Sequence, residues 1–220
     1  MNLERMLDLA GFFFQQRIRG FDVPTQPWLD PQALEWFAEK LGKAQSYLEF
    51  GSGGSTVWAA ELGIKTVSIE CDRFFARSVR KSLPNPHKVS LIDVDIGLTG
   101  PWGVPLPGSP KPRRVAKWRN YVEAPFSKLD HLPDLILVDG RFRRACALRC
   151  AIAAQETGSS AELLFDDYFM DGRQTYQQLE QQLGAPKQIG EAAHFTLLPD
   201  NRVTQEDVGL ALQDLSLIHI

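Results

Sequence analysis

The feature that most constrains the fold is a short apolar run that breaks into a glycine cluster and then resumes with helical spacing. From Tyr47 to Thr56 the sequence reads YLEFGSGGST. Glycine lets the backbone turn tightly and approach a bound molecule, and free N–H groups at the start of a helix favour polar or anionic groups. The pattern therefore predicts a strand that leads through a ligand-binding turn into a helix.

From residue 46 onward, short apolar runs rich in strand-forming residues alternate with stretches of helical spacing. This alternation is typical of βαβ units and a parallel sheet. Strands are predicted at 46–50, 66–70, 88–95, 134–138 and 161–165. Helices are predicted between them at 57–62, 74–82 and 141–155. Two more short strands, 186–190 and 194–198, would pair as a hairpin, so we expect an α/β fold with a mostly parallel central sheet, helices on both faces and a C-terminal antiparallel element.

The length of 220 residues favours one sizeable domain. Two amphipathic helices, the second opening at Asp30 and Pro31, predict an N-terminal helical cap over residues 1–45, followed by an α/β domain over 46–215. The stretch 97–130 is rich in proline and is predicted to be a lid-like insertion. A last helix is expected at 205–215. Residues 216–220 show no pattern typical of a turn or a helix cap, and we interpret them as a tail of doubtful origin.

Composition narrows the class of partner. The net charge is −3 and the pI is near 5.8, which argues against a nucleic-acid surface and favours a small-molecule substrate. Three cysteines without CxxC spacing suggest neither a disulfide framework nor a zinc site. The N-terminal apolar run is too short for a signal sequence or a membrane span. We therefore expect a cytoplasmic protein with no membrane or nucleic-acid partner, and the oligomeric state is left open.

Acidic residues stand at or near the ends of the predicted strands, where open α/β sheets bind their ligands. Glu70 ends the second strand, 19 residues after Gly51, at a spacing suited to a carboxylate that accepts both hydroxyls of a ribose. Asp93 and Asp95 close the third strand, within reach of a base or nucleoside edge. After the fourth and fifth strands come three more acids, Asp139, Asp166 and Asp167. If these two strands are neighbours, their ends lie about 5 Å apart, and the three carboxylates could share one ion.

Dinucleotide binding is the first alternative for the glycine turn. After its first two glycines, the dinucleotide-binding fingerprint requires a third small residue, glycine or alanine, three places after the second glycine. Thr56 occupies that place, and Gly54 directly follows Gly53. This mismatch favours a different ligand that contains adenosine.

Between Tyr47 and Tyr168 the chain resembles the class I S-adenosylmethionine-dependent methyltransferases, with a Rossmann-like fold. The resemblance rests on the glycine turn, on Glu70 at the second strand, and on Asp139 and Asp166 at the fourth and fifth strand ends. It implies that Glu49, Gly51 and Gly53 flank the methionine part of the cofactor, that Glu70 holds the ribose, and that Asp93 or Asp95 lies near the adenine. Ser52 and Thr56 belong to the same expected cofactor-binding set.

A narrower resemblance concerns the segments VDG at 138–140 and FDDY at 165–168. They are similar to the metal-binding constellation of magnesium-dependent O-methyltransferases of the macrocin and catechol types. This similarity implies Asp139, Asp166 and Asp167 as ligands of Mg²⁺, which suits hard oxygen ligands. The alternative is structural: Asp139 as a helix N-cap, and Asp166 and Asp167 as turn residues. The lysine that the catechol type places after the first aspartate is missing here.

Arginine and aromatic residues complete the candidate set. Arg141 is expected nearest the pocket mouth, where it could orient a carboxylate or phosphate, whereas Arg143, Arg144 and Arg149 are expected to be solvated. The insertion combines basic and aromatic residues: Lys111, Arg113, Arg114, Lys117, Arg119, Trp102, Trp118 and Tyr121. Two interpretations stay open for it, a lid that holds an anionic or sugar-like substrate and a solvated loop with core anchors.

The function expected from these features is methyl transfer from S-adenosylmethionine to an oxygen of a small molecule, such as a sugar or a phenol. If Mg²⁺ is bound, it would assist the transfer. Asp139, Asp166 and Arg141 are the expected catalytic residues. Two other classes remain: an NAD(P)-dependent oxidoreductase, and a non-catalytic protein with a methyltransferase-like fold.

Overall fold

The chain forms a seven-stranded sheet in a computed structural model, which describes residues 3–106 and 109–213, with side chains from residue 8 onward. The strands are Ser46–Phe50 (β1), Lys65–Glu70 (β2), Val89–Asp93 (β3), Leu135–Val138 (β4), Ala161–Phe165 (β5), Lys187–Ile189 (β6) and Ala192–Leu197 (β7). The α-helices are Leu3–Phe14 (α1), Pro31–Leu41 (α2), Gly54–Glu61 (α3), Arg73–Ser82 (α4), Pro112–Glu123 (α5), Arg143–Thr157 (α6), Glu180–Leu183 (α7) and Gln205–Gln213 (α8).

The strand order is β3-β2-β1-β4-β5-β7-β6, and β1 to β5 are parallel. Strand β7 runs antiparallel to β5 and forms a hairpin with β6. The predicted fold class is confirmed, including the C-terminal antiparallel element. The chain leaves β1 in one direction toward β3 and later returns to the other side of β1 with β4. The switch point of the sheet, where ligands bind in this architecture, therefore lies between the carboxyl ends of β1 and β4.

Alternate residues of the strands point to opposite faces of the sheet, where they pack in two separate cores. Leu48 and Phe50 of β1 face the larger core, which contains the buried side of α6. Tyr47 of β1 faces the smaller core, where it packs with Phe37 and Leu41 of α2. Both faces of the sheet are thus covered, as the continuous apolar runs of the central strands require.

The two N-terminal helices occupy different positions. Asp30 caps α2 by accepting hydrogen bonds from the backbone N–H groups of Gln32 (3.0 Å) and Ala33 (3.3 Å), and Pro31 takes the first helical position, as predicted. Helix α2 then covers one face of the sheet. The π-helical turn Gln15–Arg19 that follows α1 contacts α4 instead, where Gln16 donates a 2.6 Å hydrogen bond to Asp72.

The insertion over 97–130, predicted to be lid-like, contains a helix in its second half. Residues 112–123 form α5, which buries Trp118, Tyr121 and Val122 in the larger core. Proline permitted this helix because Pro112 lies at its first position, where the missing N–H costs nothing. The first half of the insertion includes a one-turn helix at Pro101–Gly103.

Several boundaries also differ from the predictions. Strand β3 ends at Asp93, so Asp95 lies beyond it, and α6 begins at Arg143 rather than at residue 141. Helix α8 begins at Gln205 as predicted, and the tail at 216–220 lies outside the described residues.

Within the described ranges, no helix combines the length and the apolar character needed to cross a membrane.

Candidate functional site

The glycine turn and the turn after β4 pack against each other at the switch point. Gly51 has a φ of +103°, and a Cβ placed on it would lie 2.8 Å from the backbone nitrogen of Gly140. No larger residue fits there without moving the backbone of the facing turn. A Cβ placed on Gly53 would meet nothing within 4 Å. The face of the turn at Gly53 is therefore open, which is the condition for a ligand to approach its backbone.

Glu49 supports this turn from below. Its side chain is fully buried and accepts hydrogen bonds from the hydroxyls of Tyr47 (2.9 Å), Ser55 (2.5 Å) and Thr56. Thr56 in turn accepts a 2.9 Å hydrogen bond from the backbone N–H of Gly53. Burial raises the pKa of Glu49 to about 6, although the hydroxyl hydrogen bonds oppose the shift. The resemblance implied that Glu49 flanks the methionine part of a cofactor, and in the structure its carboxylate holds the start of α3.

Glu70 ends β2 beside the same turn, as predicted. One carboxylate oxygen accepts from the backbone N–H groups of Cys71 (2.7 Å) and Asp72 (2.9 Å). The other accepts from the backbone N–H (3.2 Å) and the hydroxyl (2.8 Å) of Ser52. Burial raises the pKa of Glu70, while these hydrogen bonds lower it. The side chain is thus fixed at the edge of the sheet, next to the glycine turn.

Asp93 and Asp95 both carry ion pairs at this edge. Asp93 pairs with Arg80 of α4 at 2.6 Å, and Asp95 pairs with Lys117 of α5 at 2.5 Å. The hydrogen bond from Lys117 holds the pKa of Asp95 below its usual range. Lys117 was one of the basic residues considered for an anionic substrate, and in the structure it ties α5 to the end of β3.

The three aspartates after β4 and β5 come together as their strand positions predicted, and an arginine lies among them. The Arg143 guanidinium is 2.8 Å from Asp139, 3.0 Å from Asp167 and 3.6 Å from Asp166. The prediction that Arg143 is solvated is wrong, because only 6% of its side chain is exposed. The same prediction is wrong for Arg149, which is buried and pairs with Glu123 and Glu156.

Charge in this cluster is unevenly distributed. Burial raises the pKa of Asp166, and the charge of Asp139 raises it further. Burial also raises the pKa of Asp139, whereas the Arg143 guanidinium opposes that rise. Asp139 is the most exposed of the three, with 34% of its side chain accessible, so it is the carboxylate that a ligand at the edge would meet first.

Residues with left-handed backbone conformations surround the site. Among the described residues other than glycine, Trp102, Phe142 and Asp167 have positive φ angles, of 58°, 54° and 58°. They follow β3, β4 and β5, and all three therefore stand near the carboxyl edge of the sheet. Such conformations cost free energy and concentrate at functional sites.

The mouth of the site carries two tryptophans and an arginine. Trp28 and Trp102 are 73% and 74% exposed, and their ring centroids lie 5.9 Å apart. A Cβ on Gly103, next to Trp102, would lie 3.7 Å from the Cγ of Arg141. Within residues 3–106 and 109–213, the Arg141 guanidinium has no hydrogen bond or ion pair to another side chain. Burial lowers the pKa of Arg141, and the charge of Arg143 lowers it further.

Sequence reasoning missed Arg143 and Trp28. Arg143 stands four residues after Asp139, a spacing at which side chains meet on a helix, and this was the available signal. Trp28 lies between predicted helices and gave no signal. Neither His131 nor His194 lies at the site. His194 hydrogen-bonds Glu162 and packs on Trp36 of α2, away from the strand ends. His131 precedes β4 and belongs to the opposite edge of the sheet.

The aspartate cluster does not fit a divalent cation. Within the part of the chain that the structure describes, no group of three or more histidine, cysteine or acidic side chains could hold a metal ion. The physical reason is the Arg143 guanidinium, whose positive charge already contacts Asp139 and Asp167. The carboxylates that magnesium would need are the acceptors of this cation.

Comparisons with known proteins agree with this fold. No protein-family model and no curated protein sequence matches the chain. Among solved structures, a methyltransferase-like protein from Silicibacter pomeroyi is 33% identical, with a TM-score of 0.72, and the match covers 87% of this chain and 98% of that one. An O-methyltransferase from Bacillus cereus, solved in complex with S-adenosylhomocysteine, is 13% identical with a TM-score of 0.52; the match covers 87% of this chain and 90% of that one, and supports the fold alone.

Proposed function

Because this chain belongs to the class I S-adenosylmethionine-dependent methyltransferase family, we propose that it transfers the methyl group of S-adenosylmethionine to an oxygen atom of a small molecule. The observation that carries the proposal is the open glycine turn at the switch point, with the buried carboxylate of Glu70 beside it. This pair suits a ligand with a ribose and a charged amino-acid end.

The cofactor would lie across the turn. Glu70 would accept hydrogen bonds from the ribose hydroxyls in place of its bond to the Ser52 hydroxyl. That hydroxyl can rotate away because it belongs to a side chain, whereas the other donors to Glu70 are backbone N–H groups. The backbone of Gly51 and Gly53 would border the methionine part, and Thr56 would keep the Gly53 N–H in place. Asp93 and Asp95 remain candidates for the adenine side, since both stand at the same edge after β3.

Bound S-adenosylmethionine would supply a methyl carbon activated by its positive sulfonium, so an acceptor oxygen can displace the thioether in line. The chain's own task is to orient the acceptor and to take its hydroxyl proton. Asp139 is the proposed proton acceptor, because it is the most exposed carboxylate of the cluster. The Asp139 carboxylate would hold the proton that the acceptor hydroxyl loses.

The acceptor is proposed to be a phenol or a sugar. Trp28 and Trp102 expose two ring faces at the mouth, and such rings stack on planar aromatic groups and on the apolar faces of sugars. Arg141 adds a cation without a side-chain partner among the described residues, and a carboxylate or phosphate on the acceptor would satisfy it. A flat or ring-shaped acceptor with an acidic substituent therefore matches the mouth best.

Cofactor binding is tested first by calorimetric titration with S-adenosylhomocysteine and, separately, with NADH. We expect binding of the former only, which also distinguishes the oxidoreductase alternative. Glu70→Gln should weaken binding by roughly 10- to 100-fold, because a charge-assisted acceptor of ribose hydroxyls is lost. Asp130→Asn is the matched control, since Asp130 is an exposed acid at the opposite edge that pairs with Lys65. Absence of S-adenosylhomocysteine binding would refute the proposal.

Catalysis is tested by release of S-adenosylhomocysteine with a panel of phenols and sugars, with and without carboxylate substituents. Asp139→Asn should lower the turnover rate by roughly 100-fold or more while S-adenosylhomocysteine still binds. Binding without turnover across the whole panel would favour the non-catalytic alternative.

A further inference from the structure

The centre of the aspartate cluster is a complete coordination sphere around one guanidinium. Nε of Arg143 donates to the Gly140 carbonyl at 3.1 Å. Nη1 donates to the Asp166 carbonyl at 2.6 Å and to the Asp167 carboxylate at 3.0 Å. Nη2 donates to the carbonyl and the carboxylate of Asp139, at 3.0 Å and 2.8 Å. Every nitrogen of the guanidinium therefore has at least one acceptor, and the five acceptors come from two strand ends.

This arrangement keeps the guanidinium charged. Burial alone would lower the pKa of Arg143, but the carboxylates of Asp139 and its neighbours raise it above its ordinary value. A magnesium ion at the same carboxylates would need oxygens at about 2.1 Å in octahedral geometry. The magnesium ion would then be repelled by the Arg143 guanidinium, which already contacts the carboxylates of Asp139 and Asp167. Displacing that charge would leave a buried arginine and three backbone carbonyls without partners.

We infer that Arg143 takes the place that a divalent cation holds in metal-dependent O-methyltransferases, so that this chain binds no metal at Asp139, Asp166 and Asp167. Arg143 acts as a positioning residue: it ties the turn after β4 to the turn after β5 and fixes the orientation of Asp139. The inference about metal binding stands on the geometry alone. Its consequence, methyl transfer without a divalent ion, rests on the proposed function.

The first test measures Mn²⁺ binding to the full-length wild-type protein, by electron paramagnetic resonance of free Mn²⁺ and by thermal unfolding with EDTA or with millimolar Mn²⁺. We expect no stoichiometric site and the same unfolding midpoint in both solutions. Stoichiometric Mn²⁺ binding that Asp139→Asn abolishes would overturn the inference.

The second test removes the built-in cation. In Arg143→Ala the three acids lose their shared partner, while Arg173 stays 3.6 Å from Asp167 alone. A divalent ion can then bind Asp139 and Asp166. We expect Mn²⁺ to raise the unfolding midpoint of this variant by about 4 °C relative to EDTA. Arg149→Ala is the matched control, because Arg149 is also buried on α6 and pairs with two acids, Glu123 and Glu156. It should lose stability without any response to Mn²⁺.

The two variants show whether Arg143 occupies a site that can bind a divalent cation or only stabilises the fold, as Arg149 does. If folded Arg143→Ala responds to Mn²⁺ no more than Arg149→Ala, Arg143 does not stand in a cation site and the inference is wrong. If Arg143→Ala does not fold, the wild-type Mn²⁺ measurement decides alone. Titration with S-adenosylhomocysteine in EDTA is independent of both tests, so a failure of the proposed function cannot be mistaken for a failure of this inference.

Discussion

The carboxyl group of Glu49 is enclosed by the sheet and by the start of α3. Its protonation makes the free energy of unfolding depend on pH. Its pKa rises from 4.5 to about 6 on folding because burial disfavours the carboxylate. The folded protein therefore holds the proton more tightly than the unfolded chain does. This stabilisation is complete below pH 4.5 and is lost as the pH rises through about 6, and it amounts to about 2 kcal/mol.

Glu49→Gln should remove this pH dependence, because the amide does not titrate. We expect the free energy of unfolding of the variant, relative to wild type, to rise by about 2 kcal/mol between pH 4.5 and pH 7. Urea unfolding at a series of pH values measures it. Parallel curves for the two proteins would show that the Glu49 carboxylate is no more costly in the folded protein than in water.

At the scale of elements, the contact between the glycine turn and the turn after β4 determines whether the cleft forms. A Cβ on Gly51 would approach backbone atoms of Gly140 and Asp139 at 2.8 to 3.0 Å, and backbone cannot rotate away as a flexible side chain can. Gly63 offers a matched comparison, since its φ is also positive, at +71°, but a Cβ there would meet nothing within 4 Å.

Gly63→Ala should cost about 1 kcal/mol from backbone strain alone. Gly51→Ala should cost about 3 kcal/mol or more, and should also weaken S-adenosylhomocysteine binding, because the two turns must separate. Chemical denaturation and calorimetry measure the two effects. Equal destabilisation by both substitutions would mean that the two turns are not in the close contact described.

At the scale of the whole molecule, Asp30 joins the N-terminal segment to the C-terminal hairpin. One carboxylate oxygen caps α2, and the other accepts a 3.0 Å hydrogen bond from the backbone N–H of Glu191, in the turn between β6 and β7. Residues 161 positions apart are thus held by one side chain.

Two substitutions separate these roles. Asp30→Asn keeps a capping oxygen but turns an amide N–H toward Glu191, so it should lose about 1 kcal/mol. Asp30→Ala loses both interactions and should lose about 2 kcal/mol. Hydrogen exchange of the Glu191 amide should accelerate in both variants. Unchanged exchange there would show that the hairpin is held without Asp30.

The sequence by itself determined the sheet and the position of the acids on it. Strands, glycine turns and the cap at Asp30 depend on neighbours within a few residues, so periodicity and turn chemistry suffice to predict them. Parallel strands then bring their carboxyl ends to one edge, which is why the sequence predicts that Glu70, Asp139 and Asp166 stand at the same edge of the sheet.

Only the tertiary structure decided which charges meet. Arg143 was expected in solvent, yet α6 begins after the left-handed Phe142, and the guanidinium reaches Asp167, 24 residues away. The second half of the insertion likewise forms a helix whose Trp118 and Tyr121 pack in the larger core. Ion pairing and packing depend on distances through space, which a linear pattern does not contain. The position of the Arg143 guanidinium among the three aspartates is therefore a feature that the sequence pattern could not show.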